Sequence, residues 1–228
     1  MTESEIRQTL QEKGSLFPPA LGGHFIGTSG KHLSGYCNID PALPDIDFIK
    51  ALTKQLVEPF AALKVQTVMV PAIGAIPLAA WGPHFLQELT GDKVEGVWAD
   101  KIKPKGFALE RNGFEAAVAG KRILILEDIV NQMFSVKLLI ELANKLNAEV
   151  VGVGALVANG TASAEKMGVK RFGRMCEFNY DAWAPEDCEL CAKRVPIVTD
   201  PALGHGAEFK DEHPDYEGGY VNRPGATQ

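Results

Sequence analysis

An α/β fold, with an open, mostly parallel twisted sheet flanked by helices, is predicted by three features of this 228-residue chain. Near-continuous apolar segments such as RILILE (122–127) and AEVVGVGALV (148–157) are typical of strands that are buried on both faces. Segments with helical spacing alternate with them, and 122–157 has the length of a strand–helix–strand crossover. The composition, 46% hydrophobic and 23% charged, is that of an ordinary globular domain.

The first half of the chain reads as a helix, a turn-rich stretch, and then a helix, a strand and a further helix. Amphipathic spacing predicts the first two helices, and an apolar run that ends at Pro71 predicts the strand. Pro83 predicts an irregularity in the third helix. In order, these segments are 1–14, 14–44, 44–63, 65–71 and 77–89.

The second half contains four further strands, one more helix and a lysine-rich connection. EGVWA (95–99) and GFALE (106–110) are short strands around DKIKPKG, and a helix from Ser135 to about Leu146 follows the strand at 122–127. We expect one domain over residues 1–210 that carries a small hood of N- and C-terminal segments, with the N-terminal part of the hood at about residues 1–44. The Gly- and Pro-rich residues 211–228 predict a loose C-terminal tail.

The net charge, the N-terminal segment and the longest uncharged stretch argue against several classes of protein. A net charge of -6 argues against nonspecific binding to nucleic acid or to anionic membranes. The polar N-terminus has no signal-peptide core. The longest uncharged stretch, 65–86, is interrupted by Pro and Gly and does not fit a membrane span. We therefore expect a cytoplasmic protein.

Two adjacent acids, Glu127 and Asp128, follow the apolar strand and precede a helix. Ligands of open α/β sheets bind beyond the carboxyl ends of the strands, where two carboxylates can accept hydrogen bonds from vicinal hydroxyls and a helix N-terminus can meet a phosphate. This pattern predicts a sugar-phosphate site. In the alternative interpretation, one acid caps the helix and the other pairs with a lysine, and the local pattern leaves both open.

Two further segments favour an anionic ligand. PAIGAIPLA (71–79) is a strand-to-helix turn whose backbone could approach an anion closely, as many ordinary turns could. Lys101, Lys103, Lys105 and Arg111 concentrate positive charge in an acidic protein, although an exposed, solvated loop is the alternative. Taken together, the three segments predict carboxylates that bind sugar hydroxyls, a backbone turn that binds an anion and cationic side chains that bind a polyphosphate.

The four cysteines allow a metal site but do not require one. Cys188 and Cys191 have C-x-x-C spacing, and a structural zinc site normally needs two more ligands. Cys176 and His205 are the candidates for these positions. Buried thiols are the default alternative, because a reducing compartment disfavours disulfides.

Five segments in order resemble the type I phosphoribosyltransferases, most closely the orotate phosphoribosyltransferases. ILILEDIVNQMFSV (123–136) resembles their phosphoribosyl-diphosphate signature, an apolar strand followed by an acid, Asp and a short loop. The resemblance covers roughly Gly23 to His205. The other segments are GHFIGTSGKHLSGYCN, PAIGAIPLA, ADK followed by GFALERNGFE, and PEDCELCAKRVPI.

The resemblance implies transfer of phosphoribose from phosphoribosyl diphosphate to a pyrimidine or related base, with release of magnesium-bound pyrophosphate. It implies that Glu127 and Asp128 hold the ribose and that Asp128, Lys101 and Lys103 are the catalytic residues. It further implies that the enzyme binds Mg²⁺ together with these small molecules and forms a homodimer with a second copy of the chain. The expected substrate contacts, carried over by position, are Ala72, Ile73, Gly74, Ala75, Lys105, Arg111, Asn131, Gln132 and Ser135.

Two departures from the family pattern keep a second hypothesis open. Family members usually have a Thr-Thr-Gly-Gly type loop where this chain has Asn131 to Phe134, and Asp-Arg where it has Ala158 and Asn159. Met133 and Phe134 add bulk where a phosphate is expected, and non-glycine residues resist positive φ angles. The chain is therefore either a divergent enzyme or a catalytically impaired paralogue that binds a nucleotide or phosphoribosyl diphosphate in a regulatory role.

Overall fold

The computed structural model describes residues 1–19, 22–27, 29–104 and 106–223. The chain divides into two compact units. The first comprises Met1–Arg7 and Ala42–Glu177, and the second comprises Gln8–Pro41 and the chain from Phe178 onward. The second unit thus combines N- and C-terminal segments of the chain, and the expected single domain over 1–210 stays a prediction.

Helices occur in both units, and local sequence explains where several of them begin. The Asp45 side chain accepts a hydrogen bond from the backbone N–H of Phe48 and so caps the second helix. The third has Pro77 in its first turn, and Gly91 follows it in the left-handed conformation. Within the described residues the α-helices are α1 (Glu3–Glu12), α2 (Ile46–Val57), α3 (Ile76–Thr90), α4 (Phe114–Val118), α5 (Phe134–Lys145), α6 (Ala164–Met167), α7 (Glu189–Ala192) and α8 (Gly206–Glu212).

The strands of the first unit have five to ten residues, except for the two-residue β7, and the described strands of the second unit have two residues each. Over the described part of the chain they are β1 (Leu16–Phe17), β2 (Phe25–Ile26), β3 (His32–Leu33), β4 (Tyr36–Cys37), β5 (Thr67–Pro71), β6 (Glu95–Lys101), β7 (Phe107–Ala108), β8 (Arg122–Val130), β9 (Glu149–Ala158), β10 (Phe172–Glu177), β11 (Ala182–Trp183), β12 (Ile197–Val198) and β13 (Tyr220–Val221).

A six-stranded sheet with the order β10-β9-β8-β5-β6-β7 forms the centre of the first unit. Neighbouring strands are parallel except for β7, which pairs antiparallel with β6. The predicted open, mostly parallel α/β fold is therefore confirmed, including the crossover β8-α5-β9. The chain passes from β5 outward to β6, and from β8 outward in the opposite direction to β9. The carboxyl ends of β5 and β8 consequently flank a topological switch point.

Apolar side chains from both faces of this sheet form the core of the first unit. On one face, Ile123 and Ile125 of β8 belong to a buried cluster with Val136 and Leu139 of α5. On the other face, Leu126 lies against Gly82 of α3 and Gly154 of β9, where an added Cβ would come within 2.8 Å of its methyl groups. Helices therefore cover both faces, which explains the near-continuous apolar strands.

The described residues of the second unit form three small sheets, which are β1 with β4, β11-β3-β2, and β12 with β13. An apolar cluster of this unit comprises Phe17, Phe25, Leu33, Val198 and Leu203. Further apolar side chains of the unit, among them Leu16, Ile39 and Ile197, are also buried.

Residues 211–223, expected to form a loose tail, contain regular structure. They include the end of α8 and also β13, where Tyr220 lies opposite Ile197 and Val221 opposite Val198 in parallel register. Residues 224–228 lie outside the described part of the chain. Gly and Pro in this segment mark turns between short elements. Its few apolar residues pair with a distant strand, and local composition does not reveal such a pairing. A search of the described residues finds no helix long and apolar enough to cross a membrane.

Candidate functional site

The candidate site lies at the carboxyl edge of the central sheet, around the switch point between β5 and β8. The register places Met69 of β5 beside Ile125 of β8, so Pro71 and Glu127 follow two residues later on the two strands. Pro71 pairs in turn with Ala99 of β6, which brings the end of β6 to the same edge. The turn after β5, the end of β6 and the loop after β8 therefore surround one crevice.

Glu127 is a buried carboxyl group at this edge. Its residue is 5% exposed, and within the described structure its Oε2 atom is buried without a hydrogen-bond partner. Burial raises the pKa of Glu127 well above its usual range, and the charge of Asp128 adds to this effect. The charge of Lys101 lowers the pKa of Glu127 in the opposite direction. A buried acceptor of this kind is costly unless a ligand donates to it.

Asp128 and the short loop after it connect β8 to α5. β8 was expected to end at Glu127, but it continues to Val130 because its pairing with β9 extends to Ala158. The Asp128 side chain accepts a hydrogen bond from the N–H of Ile129 at 2.9 Å. Both acids therefore lie within the last four residues of β8. The helix α5 begins four residues beyond the end of β8, at Phe134.

The loop over 131–133 has an unusual backbone for its sequence. Met133 adopts the left-handed conformation with φ of 58° and immediately precedes α5. Glycine is the residue that adopts this conformation at the lowest cost. Phe134 is 55% exposed, and Ser135 lies in the first turn of the helix. Asn131 is half-buried and Gln132 is exposed, so both are available at the rim of the crevice.

The turn over 72–75 connects β5 to α3 on the other side of the crevice. The Ala72 N–H donates to the Ala99 carbonyl at 2.9 Å, which fixes the start of the turn against β6. The peptide between Ala72 and Ile73 is cis. Ile73 is 82% exposed, whereas Ala75 is buried at the start of α3. The exposed part of the turn is therefore dominated by Ile73, with Gly74 half-buried beside it.

The predicted lysines lie at the end of β6 and in the loop that follows. Lys101 is the last residue of β6, pairs with Phe107 and is exposed. Lys103 is exposed in the connection to β7, and Lys105 lies outside the described residues. Among the described lysines, Lys101 has an electrostatic effect on Glu127.

Arg111 has neighbours of its own. Its guanidinium lies 5.7 Å from the centroid of the Trp98 ring, and its Nε is 3.9 Å from Asp100 Oδ2. These contacts place the guanidinium beside β6, and the Arg111 side chain is 61% exposed. This exposure fits the alternative of a solvated loop, and a substrate contact by Arg111 stays a prediction.

Asn159 shapes the loop after β9. Its side-chain oxygen accepts hydrogen bonds from the Thr161 N–H at 2.9 Å and from the Thr161 hydroxyl at 2.8 Å. Its own N–H donates to the Val130 carbonyl at 2.8 Å. This residue, which stands where relatives were expected to carry Arg, folds a tight turn next to the loop that follows β8.

The predicted C-x-x-C pair gathers different partners from those expected. Side chains of Cys188 and Cys191 form a cluster with His24 and His32 of the second unit. Cys176 belongs instead to β10 of the first unit, where it is buried with its thiol 3.6 Å from the Glu177 carbonyl. His205 is exposed at the start of α8, beside Glu208 at 3.4 Å. The two histidines lie in a short hairpin far from the cysteines in sequence, so spacing alone could not identify them.

The ionisation of this cluster follows from its burial. Burial, together with the neighbouring His32, lowers the pKa of His24 to about 4. Burial likewise lowers the pKa of His32. Burial raises the pKa of Cys191 to about 11. Near pH 7 both imidazoles are therefore neutral, and the Cys191 thiol needs a compensating cation to ionise.

Comparison with known proteins identifies close relatives. The chain is 30% identical over 198 residues to an orotate phosphoribosyltransferase of Pelotomaculum thermopropionicum, covering 87% of this chain and 96% of the relative. It is 31% identical over 176 residues to an orotate phosphoribosyltransferase of Caldanaerobacter subterraneus subsp. tengcongensis, covering 77% and 87%. No protein-family model matches the chain.

The fold is similar to that of solved structures. The crystal structure of orotate phosphoribosyltransferase from Aeropyrum pernix superimposes with a TM-score of 0.58 at 20% identity, over 75% of this chain and 93% of that chain. This likeness agrees with the six-stranded, mostly parallel sheet described above.

Proposed function

We propose that this chain transfers phosphoribose to a base. It belongs to the type I phosphoribosyltransferase family and is close to the orotate phosphoribosyltransferases. The donor in this proposal is phosphoribosyl diphosphate, and the acceptor is a pyrimidine or related base. The observation that carries the proposal is the acid pair Glu127–Asp128 at the switch point, with Lys101 close enough to Glu127 to lower its pKa.

In the proposed mechanism the two acids hold the ribose. Vicinal hydroxyls donate to Glu127 and Asp128, and a donor to Glu127 Oε2 would satisfy an acceptor that is buried without a partner in the described structure. Such donors favour the ionised carboxylate and so oppose the rise in pKa that burial causes. The substrate itself thus relieves part of the cost of burying this acid.

The phosphate groups are assigned to the segments around the crevice. The turn over 72–75 offers backbone N–H groups to the pyrophosphate, and Lys101 with Lys103 and Lys105 supplies positive charge. Asn131, Gln132 and Ser135 offer side-chain donors to the 5′-phosphate near the start of α5. Arg111 is a less direct contributor, since it already lies on Trp98 and beside Asp100.

The reaction is a substitution at C1 of the ribose. A nitrogen of the base forms a bond to C1, the bond between C1 and the pyrophosphate oxygen breaks, and that oxygen keeps the electron pair. Positive charge spreads over C1 and the ring oxygen in the transition state, while negative charge grows on the leaving group. Carboxylates near the ribose stabilise the first, and Lys101 stabilises the second. Magnesium enters with the donor as part of the substrate complex.

The test is pyrophosphate release from phosphoribosyl diphosphate and Mg²⁺, first with orotate and then with a pool of other bases. Release that requires orotate supports an orotate enzyme in pyrimidine nucleotide synthesis. Release only with another base would support transferase activity with an acceptor other than orotate. Absence of release with every base, from protein with a cooperative unfolding transition, would overturn the proposed activity.

A second candidate function rests on the loop after β8. Met133 in the left-handed conformation and the exposed Phe134 stand where a small-residue phosphate loop was expected. A loop of this composition favours a paralogue that binds a nucleotide or phosphoribosyl diphosphate and acts in regulation. Calorimetric binding of phosphoribosyl diphosphate without turnover would favour this candidate over the enzyme.

A cytoplasmic homodimer completes the proposal. The relationship to the orotate phosphoribosyltransferases supports this proposal, because the sequence resemblance to that family implies a homodimer. Size-exclusion chromatography with light scattering tests it, and the mass of a single chain would contradict it.

A further inference from the structure

Four side chains that suit a metal ion converge inside the second unit. His24 Nε2 lies 3.2 Å from His32 Nδ1, and Cys191 Sγ lies 3.5 Å and 3.2 Å from these two nitrogens. Cys188 contributes the fourth ligand atom, and all four lie within 4.8 Å of one another. His24, His32 and Cys188 are buried, and Cys191 is half-buried.

The separations among the ligand atoms of His24, His32 and Cys191 match a tetrahedral zinc site. With Zn–N bonds of about 2.05 Å and Zn–S bonds of about 2.3 Å, tetrahedral angles separate two nitrogens by about 3.3 Å and a nitrogen from a sulfur by about 3.6 Å. The observed N···N distance of 3.2 Å and S···N distances of 3.2 and 3.5 Å are close to these values. Two thiolates and two imidazoles are also a ligand set that selects zinc.

Neighbouring groups orient two of the ligands. His24 Nδ1 lies 3.2 Å from the Pro196 carbonyl, so it carries the proton and leaves the lone pair of Nε2 directed into the cluster. The Cys188 sulfur accepts a hydrogen bond from the Cys191 N–H at 3.4 Å. Such outer contacts fix the tautomer of a metal-binding histidine and stabilise a thiolate.

Backbone pairing and aromatic rings enclose the cluster. The His24 N–H donates to the Pro196 carbonyl at 2.9 Å, and the Val198 N–H donates to the His24 carbonyl at 2.8 Å. The rings of Phe209 and Tyr216 pack on His32 and His24, respectively. Four protein ligands inside such an enclosure leave no position for a substrate, which is typical of a structural site.

We propose that His24, His32, Cys188 and Cys191 bind one zinc ion that holds the second unit together. The ion would connect the hairpin of β2 and β3 to α7, in addition to the backbone hydrogen bonds of His24 with Pro196 and Val198. Because the strands of this unit are only two residues long, a bound ion would add a cross-link that such short ladders do not supply. In the competing interpretation, the histidines and thiols only share hydrogen bonds, and the cluster binds no metal.

The first experiment measures metal in the full-length wild-type protein, purified without chelator from zinc-supplemented cells. Elemental analysis should give one equivalent of zinc per chain. After removal of the metal, cobalt(II) should restore one equivalent and produce the visible bands of tetrahedral coordination with thiolate charge-transfer bands. Substoichiometric zinc together with a cobalt spectrum of octahedral, thiolate-free type would overturn the proposal, and iron in place of zinc would overturn the assignment of the ion.

Variants then test the ligand set. Cys188→Ser, Cys191→Ser and His32→Gln should each lose at least about a hundredfold in zinc affinity. Cys37→Ser is the matched control, because Cys37 is a half-buried thiol of the same unit outside the cluster; it should keep one equivalent. Zinc retained in all three ligand variants would contradict the assignment.

A chelator experiment on the wild type gives a result even if the variants fold poorly. Zinc removal should lower the midpoint of thermal unfolding and make two additional thiols reactive toward a thiol reagent, and added zinc should reverse both changes. A protein whose midpoint and thiol reactivity are the same with and without chelator would exclude a structural zinc ion. Pyrophosphate release is not a readout of this experiment, so its outcome is independent of the proposed transferase activity.

Discussion

Lys101 at the end of β6 lowers the pKa of the Glu127 carboxyl on β8, against the combined effects of burial and of Asp128. Glu127 is 5% exposed, and within the described structure its Oε2 atom has no hydrogen-bond partner. A fold does not need such a group for its own stability, and sites that bind ligands often retain groups that cost stability. This pair of residues leads to the first three predictions.

Glu127→Gln should stabilise the protein, and more so at higher pH. The folded-state pKa of this carboxyl is raised, so the native state binds its proton more tightly than the unfolded chain does. Stability is therefore greatest below the unfolded-state pKa and falls as pH rises toward the folded-state pKa. Glutamine does not titrate, and we expect a gain of about 1 kcal/mol near pH 8 that shrinks near pH 5. Urea unfolding at both pH values measures it.

The control for this prediction is Glu141→Gln, an exposed carboxyl on α5. It should change the free energy of unfolding little at either pH. An equal effect of Glu127→Gln at pH 5 and pH 8 would show that burial does not shift this carboxyl in the folded protein.

Asp128→Asn should lower kcat/KM for phosphoribosyl transfer by roughly 100-fold, because a neutral amide stabilises the charge on the ribose less well than a carboxylate does. Circular dichroism should remain unchanged. The matched variant Asp47→Asn, at an exposed position in the first turn of α2, should keep full activity. If Asp128→Asn turns over as fast as the parent, the acids are assigned wrongly.

Lys101→Gln should reduce kcat by about tenfold or more, since the ammonium group would no longer stabilise charge on the leaving pyrophosphate. Lys93→Gln is the control, because Lys93 precedes the opposite end of β6 and pairs with Glu95 at 3.4 Å. Steady-state kinetics on the two variants compare them directly. Equal losses in both would indicate a general effect of charge and would remove Lys101 from the site.

Replacing residues 131–134 with Thr-Thr-Gly-Gly should strengthen the binding of phosphoribosyl diphosphate by about tenfold or more. Glycine at 133 removes the cost of a left-handed methionine, about 1 kcal/mol, and glycine at 134 removes the exposed ring. Isothermal titration calorimetry measures the affinity. The single variant Met133→Gly separates the backbone effect from the effect of bulk, and unchanged affinity in the full replacement would show that this loop does not limit binding.

Gly96→Ala should destabilise the first unit by about 3 kcal/mol, because an added Cβ would lie 1.9 Å from the Ala79 carbonyl of α3 and only a backbone shift could relieve the clash. Gly173→Ala is the comparison, since its Cβ would meet the edge of the Phe60 ring at 3.3 Å. It should cost less than half as much in urea unfolding. Similar losses in both would argue against close packing of α3 on β6.

Much of the central sheet could be predicted from local pattern. The strand at 148–157 and the helix at 135–146 agree with β9 and α5 to within one residue at each end. Apolar periodicity suffices here because the segments are long and buried. β8 was predicted three residues too short, since two acids interrupt its apolar pattern while its pairing with β9 continues to Val130.

Local pattern was enough to predict the order of the strands and helices of the central sheet and the position of two acids near the end of a buried strand. The environment of those acids depends on long-range packing, because the pKa of Glu127 depends on burial and on Lys101 of another strand. Long-range packing also decided which residues join Cys188 and Cys191. Their partners, His24 and His32, are more than 150 residues away, and spacing in a chain carries no information about contacts that long-range strand pairing creates.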